Sequence, residues 1–595
     1  MSPDSPRLSS AAAPPRPDLA RDAPRPSRGP RPFAPPPGLT SPPLGAKLTP
    51  FGVRLKRPVL ALLVALLAAC EVDEAPLSTP DRGIAPDVVP AAPTLRRLTE
   101  TQYANTVRAL LGDDVVLPAS LEPDAEEGGL LSLGAATASV SSLGVERYED
   151  AALLLAGQVA DEPARLATVV PCTPTAADDI VCAETFVRTF GLRAWRRPLT
   201  DAEVTRLVAV VTLTGGEAGS FNEGVRYGLA AMFQSPHFVY RREHGVADPA
   251  DPALRILTDY ELATRLAYLL WAEPPDDALL AAAAAGTLTA SDDGLRAEAD
   301  RLLADARARA GVRALFTELF ALYALDDLAK DPTVFTHASA ELGPAAREET
   351  LRVVEDLVFD NPTDFRDLLT TQTTFVDPRL AALYRVPAPD PAGFGEVTLD
   401  ASDGRRGLLG QASFLMLNAH ATRTSATLRG LFVRKTLLCQ TILPPPADVD
   451  TSIPEADSTS PTLRERLQTH LEDPTCASCH QLTDPIGLGL ENFDGVGRWR
   501  DEENGSVIDA SGTLGRTDFA DAWDLGAAVR DAEDLGPCFT AHLYRYAMGH
   551  AVDPGEEAHV AWIAAGFAES GYDWRALLMD LVMSPAFRRA GALDE

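Results

Sequence analysis

The sequence predicts a mainly α protein made of multi-helix bundle domains, with a small β-hairpin element in its C-terminal third. Three observations carry this reading. Alanine and leucine dominate a chain with only 6% aromatic residues. Runs of β-branched residues are few, and capping boxes open amphipathic stretches at several points. With 595 residues, 46% of them apolar, there is material for roughly three to five domains of about 100–200 residues each.

Residues 1–52 are rich in Pro and Arg and lack an apolar period, so they are expected to be disordered. Residues 53–70, VRLKRPVLALLVALLAAC, join a basic stretch to a short apolar run ending at Leu67-Ala68-Ala69-Cys70. This reads as a lipoprotein signal with acylation of Cys70, and a true start near Val53 accounts for its late position. An ordinary anchor or cleaved signal is the alternative. A linker over 71–92 follows.

The first helical domain is expected over 93–165. Thr99 and Gln102 form a capping box, and Tyr103, Val107, Leu110 and Leu111 share one helix face. A helical hairpin domain over 170–245 contains the box Thr200/Glu203. A third helical domain over 246–390 opens at Thr258/Glu261 and continues in long helices near 295–330 and 343–360. The fourth domain, 396–515, holds the convincing strand signals, GEVTLD and GSVIDASGTL, with a boundary near Pro444 at ILPPPADVD. Asp501 to Gly505 reads as a hairpin turn, because it lacks the ligand series and closing Glu of a calcium loop. The last helical domain spans 520–592. An internal repeat relates Cys182 to Cys538, Thr200 and Glu203 to Asp553 and Glu556, and Ser235-Pro236-x-Phe238 to Ser584-Pro585-x-Phe587. Two unrelated hairpins with common capping chemistry are the competing explanation.

Seven cysteines divide without remainder in an oxidising compartment. Cys70 takes lipid. Cys476-Ala-Ser-Cys479-His480 is the C-x-x-C-H signature of c-type haem attachment, in which two thiols one helical turn apart form thioethers and the following imidazole meets the iron. The chain's own composition yields roughly 0.001 chance matches to this pattern. A zinc site lacks its second Cys pair, a thioredoxin-like motif lacks its preceding strand, and a structural disulfide is the remaining alternative. Cys172 and Cys182 bracket a short loop and form the preferred local bridge, leaving Cys439 and Cys538; four thiols allow three pairings. Sixth-ligand candidates lie around Met416 and His420 and around His542, Met548 and His550. Met548 is favoured, since a Cys439–Cys538 bridge would hold its helix near the segment preceding the motif.

The formal net charge of −32 excludes nucleic acid as a natural partner. No HExxH, G-x-S-x-G or P-loop pattern occurs.

Taken together, TLRRLTETQYANTVRALLG, FGLRAWRRPLTDAEV, GLAAMFQSPHFVYRRE with LTDYELATRLAYLLW, GRRGLLGQASFLMLNAHATRTSATLRGLFVRKTLLCQ through CASCHQLTDPIGLGLENFDGVGRWR, and LYRYAMGH to LVMSPAFRR resemble a multidomain planctomycete and myxobacterial family. Its parts are the domains of unknown function 1587, 1595, 1592, 1588 and 1585, in that order. The resemblance covers most of residues 93–592 and implies c-type haem, with no known reaction. Arg423, Arg429, Asp484, Arg498 and Trp499 match residues typical of the family. Arginine forks and an indole N–H suit haem propionates, so Arg423, Arg498 and Trp499 are expected to bind them, with structural packing of Arg498 and Trp499 as the alternative.

The expectation is therefore an exported protein, in the periplasm or on the cell surface and held to the membrane by lipid. It would carry one covalent haem c and pass electrons to a redox partner protein. A haem-dependent oxidoreductase or peroxidase acting on exported substrates is the second reading, and a structural or glycan-binding lipoprotein the third.

Overall fold

The computed structural model describes residues 82–443, 456, 459–472 and 474–592. The prefix, the signal with Cys70, residues 71–81 and the boundary near Pro444 lie outside the described residues. The mainly α expectation holds: helices form the fold, and the strands are short antiparallel pieces. All three capping boxes form, because each Thr hydroxyl accepts the N3 amide while the Gln or Glu side chain returns to the cap N–H. They open the helices Glu100–Leu111, Asp201–Ala218 and Asp259–Leu270. The stretch near 295–330 is two helices, Asp292–Ala304 and Arg307–Leu319, and Leu342–Glu355 continues into a π turn over Asp356–Asp360.

The repeat is larger than the sequence indicated. In the first copy, helices Ile180–Trp195, Asp201–Ala218 and Phe221–Phe233 lead to Ser235, which caps Pro236–Val239. Strand Tyr240–Arg241 then returns antiparallel to strand Arg96–Arg97. In the second, helices Leu535–Met548, Glu557–Glu569 and Trp574–Met583 lead to Ser584, the cap of Pro585–Arg588. Strand Arg589–Gly591 returns to Leu254–Ile256. Each receiving strand feeds a capped helix, Glu100–Leu111 or Asp259–Leu270. The joining bonds match: Leu98 N donates to Val239 O at 2.8 Å, and Leu257 N to Arg588 O at 3.0 Å. Phe238 and Phe587 are both fully buried. Residues 112–179 separate the parts of the first copy, and 271–534, which contain the C-x-x-C-H motif, separate those of the second.

The expected β-hairpin element follows the motif. Glu502–Glu503 pairs with Ser506–Val507, and Gly512–Leu514 with Thr517–Phe519. Asn504 and Gly505, at φ 52° and 81°, make the left-handed pair that a two-residue turn needs. GEVTLD supplies Gly395–Thr398, which pairs with Thr373–Val376. Among the described residues no helix is long and apolar enough to cross a membrane.

One large apolar core is built mainly on the helices of the first copy, a second joins those of the second copy to the intervening residues 271–534, and a buried ionic cluster ties segments of both copies together. The Glu243 carboxylate receives Arg96 Nη2 at 2.6 Å and both Nε (3.2 Å) and Nη2 of Arg265. Arg96 also donates to Ala547 O and Arg265 to Phe587 O, each at 2.8 Å. Burial opposes ionisation of Glu243, but Arg265 and Arg96 outweigh it and hold the carboxyl at about 2. Burial, with Arg96 beside it, pushes the Arg241 guanidinium down to about 9. Replacing Glu243 leaves buried guanidinium groups without a counter-charge, a loss of about 3–5 kcal/mol for a broken buried pair. Glu243→Ala should therefore lower the denaturant midpoint strongly, while the exposed-pair variant Arg188→Ala moves it little.

Candidate functional site

Helix Pro474–Leu488 carries Cys476, Cys479 and His480 in its first two turns. Helix Leu463–Glu472 precedes it, opened where the Thr462 hydroxyl and amide both bond Glu465. The pair closes over a small apolar cluster of Ala426, Leu463, Leu467 and Leu488. Helix Ala426–Phe432 crosses the motif helix at backbone contact: a Cβ on Gly430 would collide with Thr483 O, and one on Gly487 with Ala426 O.

That close crossing positions the motif histidine. Thr427 Oγ1 donates to Asp484 Oδ1 at 2.8 Å, Thr483 Oγ1 reaches the same oxygen at 3.2 Å, and Asp484 Oδ2 lies 2.7 Å from His480 Nδ1. Asp484 is 1% exposed. The hydrogen bond to Asp484 raises the His480 pKa against the opposing effect of burial, and burial together with Asp484 raises that of the Cys479 thiol.

The cysteines sort as the sequence preferred. Cys172 is bonded to Cys182 and Cys439 to Cys538, while Cys476 and Cys479 are free thiols. Cys439 sits in the left-handed region, φ 52°. Beside that bridge, His542 Nε2 lies 3.0 Å from Thr436 O, and burial, with Arg545 nearby, pushes it down to about 4. Met548, the favoured sixth ligand, lies on the helix that the Cys439–Cys538 bridge ties to the segment before the motif. It is buried with Sδ 3.9 Å from Arg265 Nη1, beside the Glu243 cluster, whereas the motif helix packs on Ala426–Phe432, Leu463–Glu472 and Gly512–Leu514. In this arrangement Met548 is a core side chain.

Next to helix Leu463–Glu472 lies a cleft of about 700 Å³ lined by Arg385, Arg423, Arg466, Arg498, Trp499 and Arg500, among others. The structure thus brings together the three residues expected at propionates. Arg423 and Arg498 are exposed, and their side chains make no ion pair or hydrogen bond with a described residue. Trp499 is different: its Nε1 donates to Asp501 Oδ1 at 2.9 Å and its ring meets Phe493 edge-on, so the indole N–H is already used and the ring serves as wall. Arg429, fully buried, secures the floor through Leu490 O, Phe493 O, Asp494 O and Glu491, whose other oxygen receives Arg500 and Thr424.

Behind Phe493, Arg405 stacks on that ring and on Tyr384, whose hydroxyl donates to Glu349 Oε2 at 2.6 Å. Burial pushes Glu349 up to about 7, the bonds from Thr374 and Tyr384 opposing it. Sequence reading missed Thr427, Arg405 and Glu349, which carry no local pattern. It noted Asp484 without its partner, although the i, i+4 spacing from His480 on a helix was a signal for it.

Five family models match in chain order, each described as a protein of unknown function: DUF1587 over 96–161, DUF1595 over 182–243, DUF1592 over 257–386, DUF1588, named PSCyt3, over 405–503, and DUF1585 over 515–587. The chain therefore has this domain set. No curated protein and no solved structure matches it.

Peptide mapping of chain made without haem attachment should show Cys476 and Cys479 alkylated before reduction, and Cys172, Cys182, Cys439 and Cys538 only after it. For Glu349, a folded pKa near 7 against an unfolded value near 4.5 means that wild-type stability falls as pH rises through that window. Glu349→Gln does not titrate, so its stability relative to wild type should improve by up to about 3 kcal/mol between pH 4.5 and 8, read from denaturant melts.

Proposed function

We propose that this chain is an exported, lipid-anchored c-type cytochrome-like protein that passes single electrons through one covalent haem to a redox partner protein. The observation that carries the reading is the state of the thiols: four cysteines are bonded in pairs, while the two of the C-x-x-C-H motif stay free, one turn apart, with His480 oriented beside them. A structural-disulfide reading of the motif has no support from that arrangement. The residues present fit a haem c: Cys476 and Cys479 would hold it through thioether bonds, and His480 would ligate its iron. When bound, haem supplies reversible one-electron chemistry at iron.

The chain's own residues supply the rest. Asp484 and Thr427 fix the imidazole, Arg423 and Arg498 offer uncommitted guanidinium forks for carboxylates, and Trp499 with Phe493 gives the cleft an apolar wall. Two disulfides fit an oxidising compartment, in keeping with a lipidated Cys70. A second reading, a haem-dependent oxidoreductase acting on exported substrates, draws support from Met548, which packs in the core beside Arg265.

Expression with c-type maturation machinery tests both. A visible spectrum with a sharp reduced α-band, and a haem-stained band that survives denaturing electrophoresis, is expected. Absence of haem from the wild type overturns the proposal. Unchanged spectra on adding carbon monoxide or cyanide favour the carrier, and a shift favours the oxidoreductase. Arg423→Ala and Arg498→Ala should each move the midpoint potential while leaving attachment intact, and an unmoved potential in both would remove the propionate role.

A further inference from the structure

We propose that Asp484 is the positioning residue of the haem histidine, and that its uncompensated buried charge holds the iron at a low reduction potential. This rests on the reading that a haem is attached at Cys476 and Cys479. Three observations carry it.

The first is geometry. Asp484 Oδ2 lies 2.7 Å from His480 Nδ1, at the i+4 position of the same helix. A carboxylate there accepts the Nδ1 proton, fixes the tautomer and directs Nε2 toward the metal side of the ring.

The second is rigidity. The other carboxylate oxygen is bonded by Thr427 at 2.8 Å and Thr483 at 3.2 Å. The first of these comes from a different helix, locked against the motif helix by the Gly430 and Gly487 crossings. The carboxylate cannot rotate away without breaking an interhelical contact.

The third is charge. Two other deeply buried carboxylates are met by arginine: Glu243 by Arg96 and Arg265, and Glu491 by Arg429 and Arg500. Asp484 is 1% exposed, and among the described residues its sole charge partner is His480. A negative group in a medium of low dielectric, bonded to the imidazole, makes it a stronger electron donor and favours the higher charge on iron. The ferric state is stabilised over the ferrous, and the potential falls.

The test uses the full chain matured with haem. Asp484→Asn keeps the shape and removes the charge; it should attach haem as the wild type does, with a midpoint potential clearly more positive. Thr427→Val, which frees the carboxylate from its anchor but keeps the charge, should shift the potential in the same direction by less. Should Asp484→Asn fail to fold, Thr427→Val carries the test alone. A wild type loaded with haem and variants of unshifted potential overturn this inference but leave haem attachment standing. A wild type without haem overturns both.

Discussion

The architecture turns on one buried carboxylate. Glu243 closes the segment matched by DUF1595, and it is clamped by Arg96 from the DUF1587 segment and Arg265 from the DUF1592 segment. The same two guanidinium groups continue to Ala547 O and Phe587 O in the DUF1585 segment. Four of the five matched segments are therefore wired to a single charge. Buried ion pairs carry a desolvation cost that their attraction only partly offsets, so the clamp is better understood as fixing which surfaces meet than as a net source of stability. Its geometry admits one arrangement, because a displaced strand would strand a guanidinium in an apolar core.

Around this clamp the chain is two copies of one plan: a strand, a capped helix, a three-helix cluster, a Ser-Pro-x-Phe turn and a returning strand. The fifth segment belongs to the long excursion inside the second copy. It has its own buried pivot, Arg429 with Glu491, and a small apolar cluster under the motif helix. The motif helix is also joined to the main core, which takes in its Ile486 and, around it, Phe414, Val433, Leu490 and Phe493.

Much of this was legible locally. The three capping boxes fixed helix starts at Thr99, Thr200 and Thr258, because the signal is satisfied within four residues. Asn504-Gly505 announced its turn through the backbone freedom it requires. Setting the C-x-x-C-H thiols apart left four cysteines with three possible pairings; the short Cys172–Cys182 loop favoured one of them, and the fold has that one. The Ser-Pro-x-Phe repeat was visible, but the strand and capped helix that complete each copy were not, since hundreds of residues separate them in the second.

Sequence by itself determined the helical class, the caps, the turn and the identity of the motif, all of which depend on neighbours within one or two turns of chain. Tertiary structure decided what the motif histidine touches, that the Trp499 indole is spent on Asp501, that Met548 belongs to the Glu243 cluster, and that Gly430 and Gly487 exist to let two helices meet at backbone distance. The reason is physical. A cap or turn satisfies backbone groups from within its own segment, whereas a buried charge, a core methionine or a helix crossing is defined by the groups that folding brings from elsewhere.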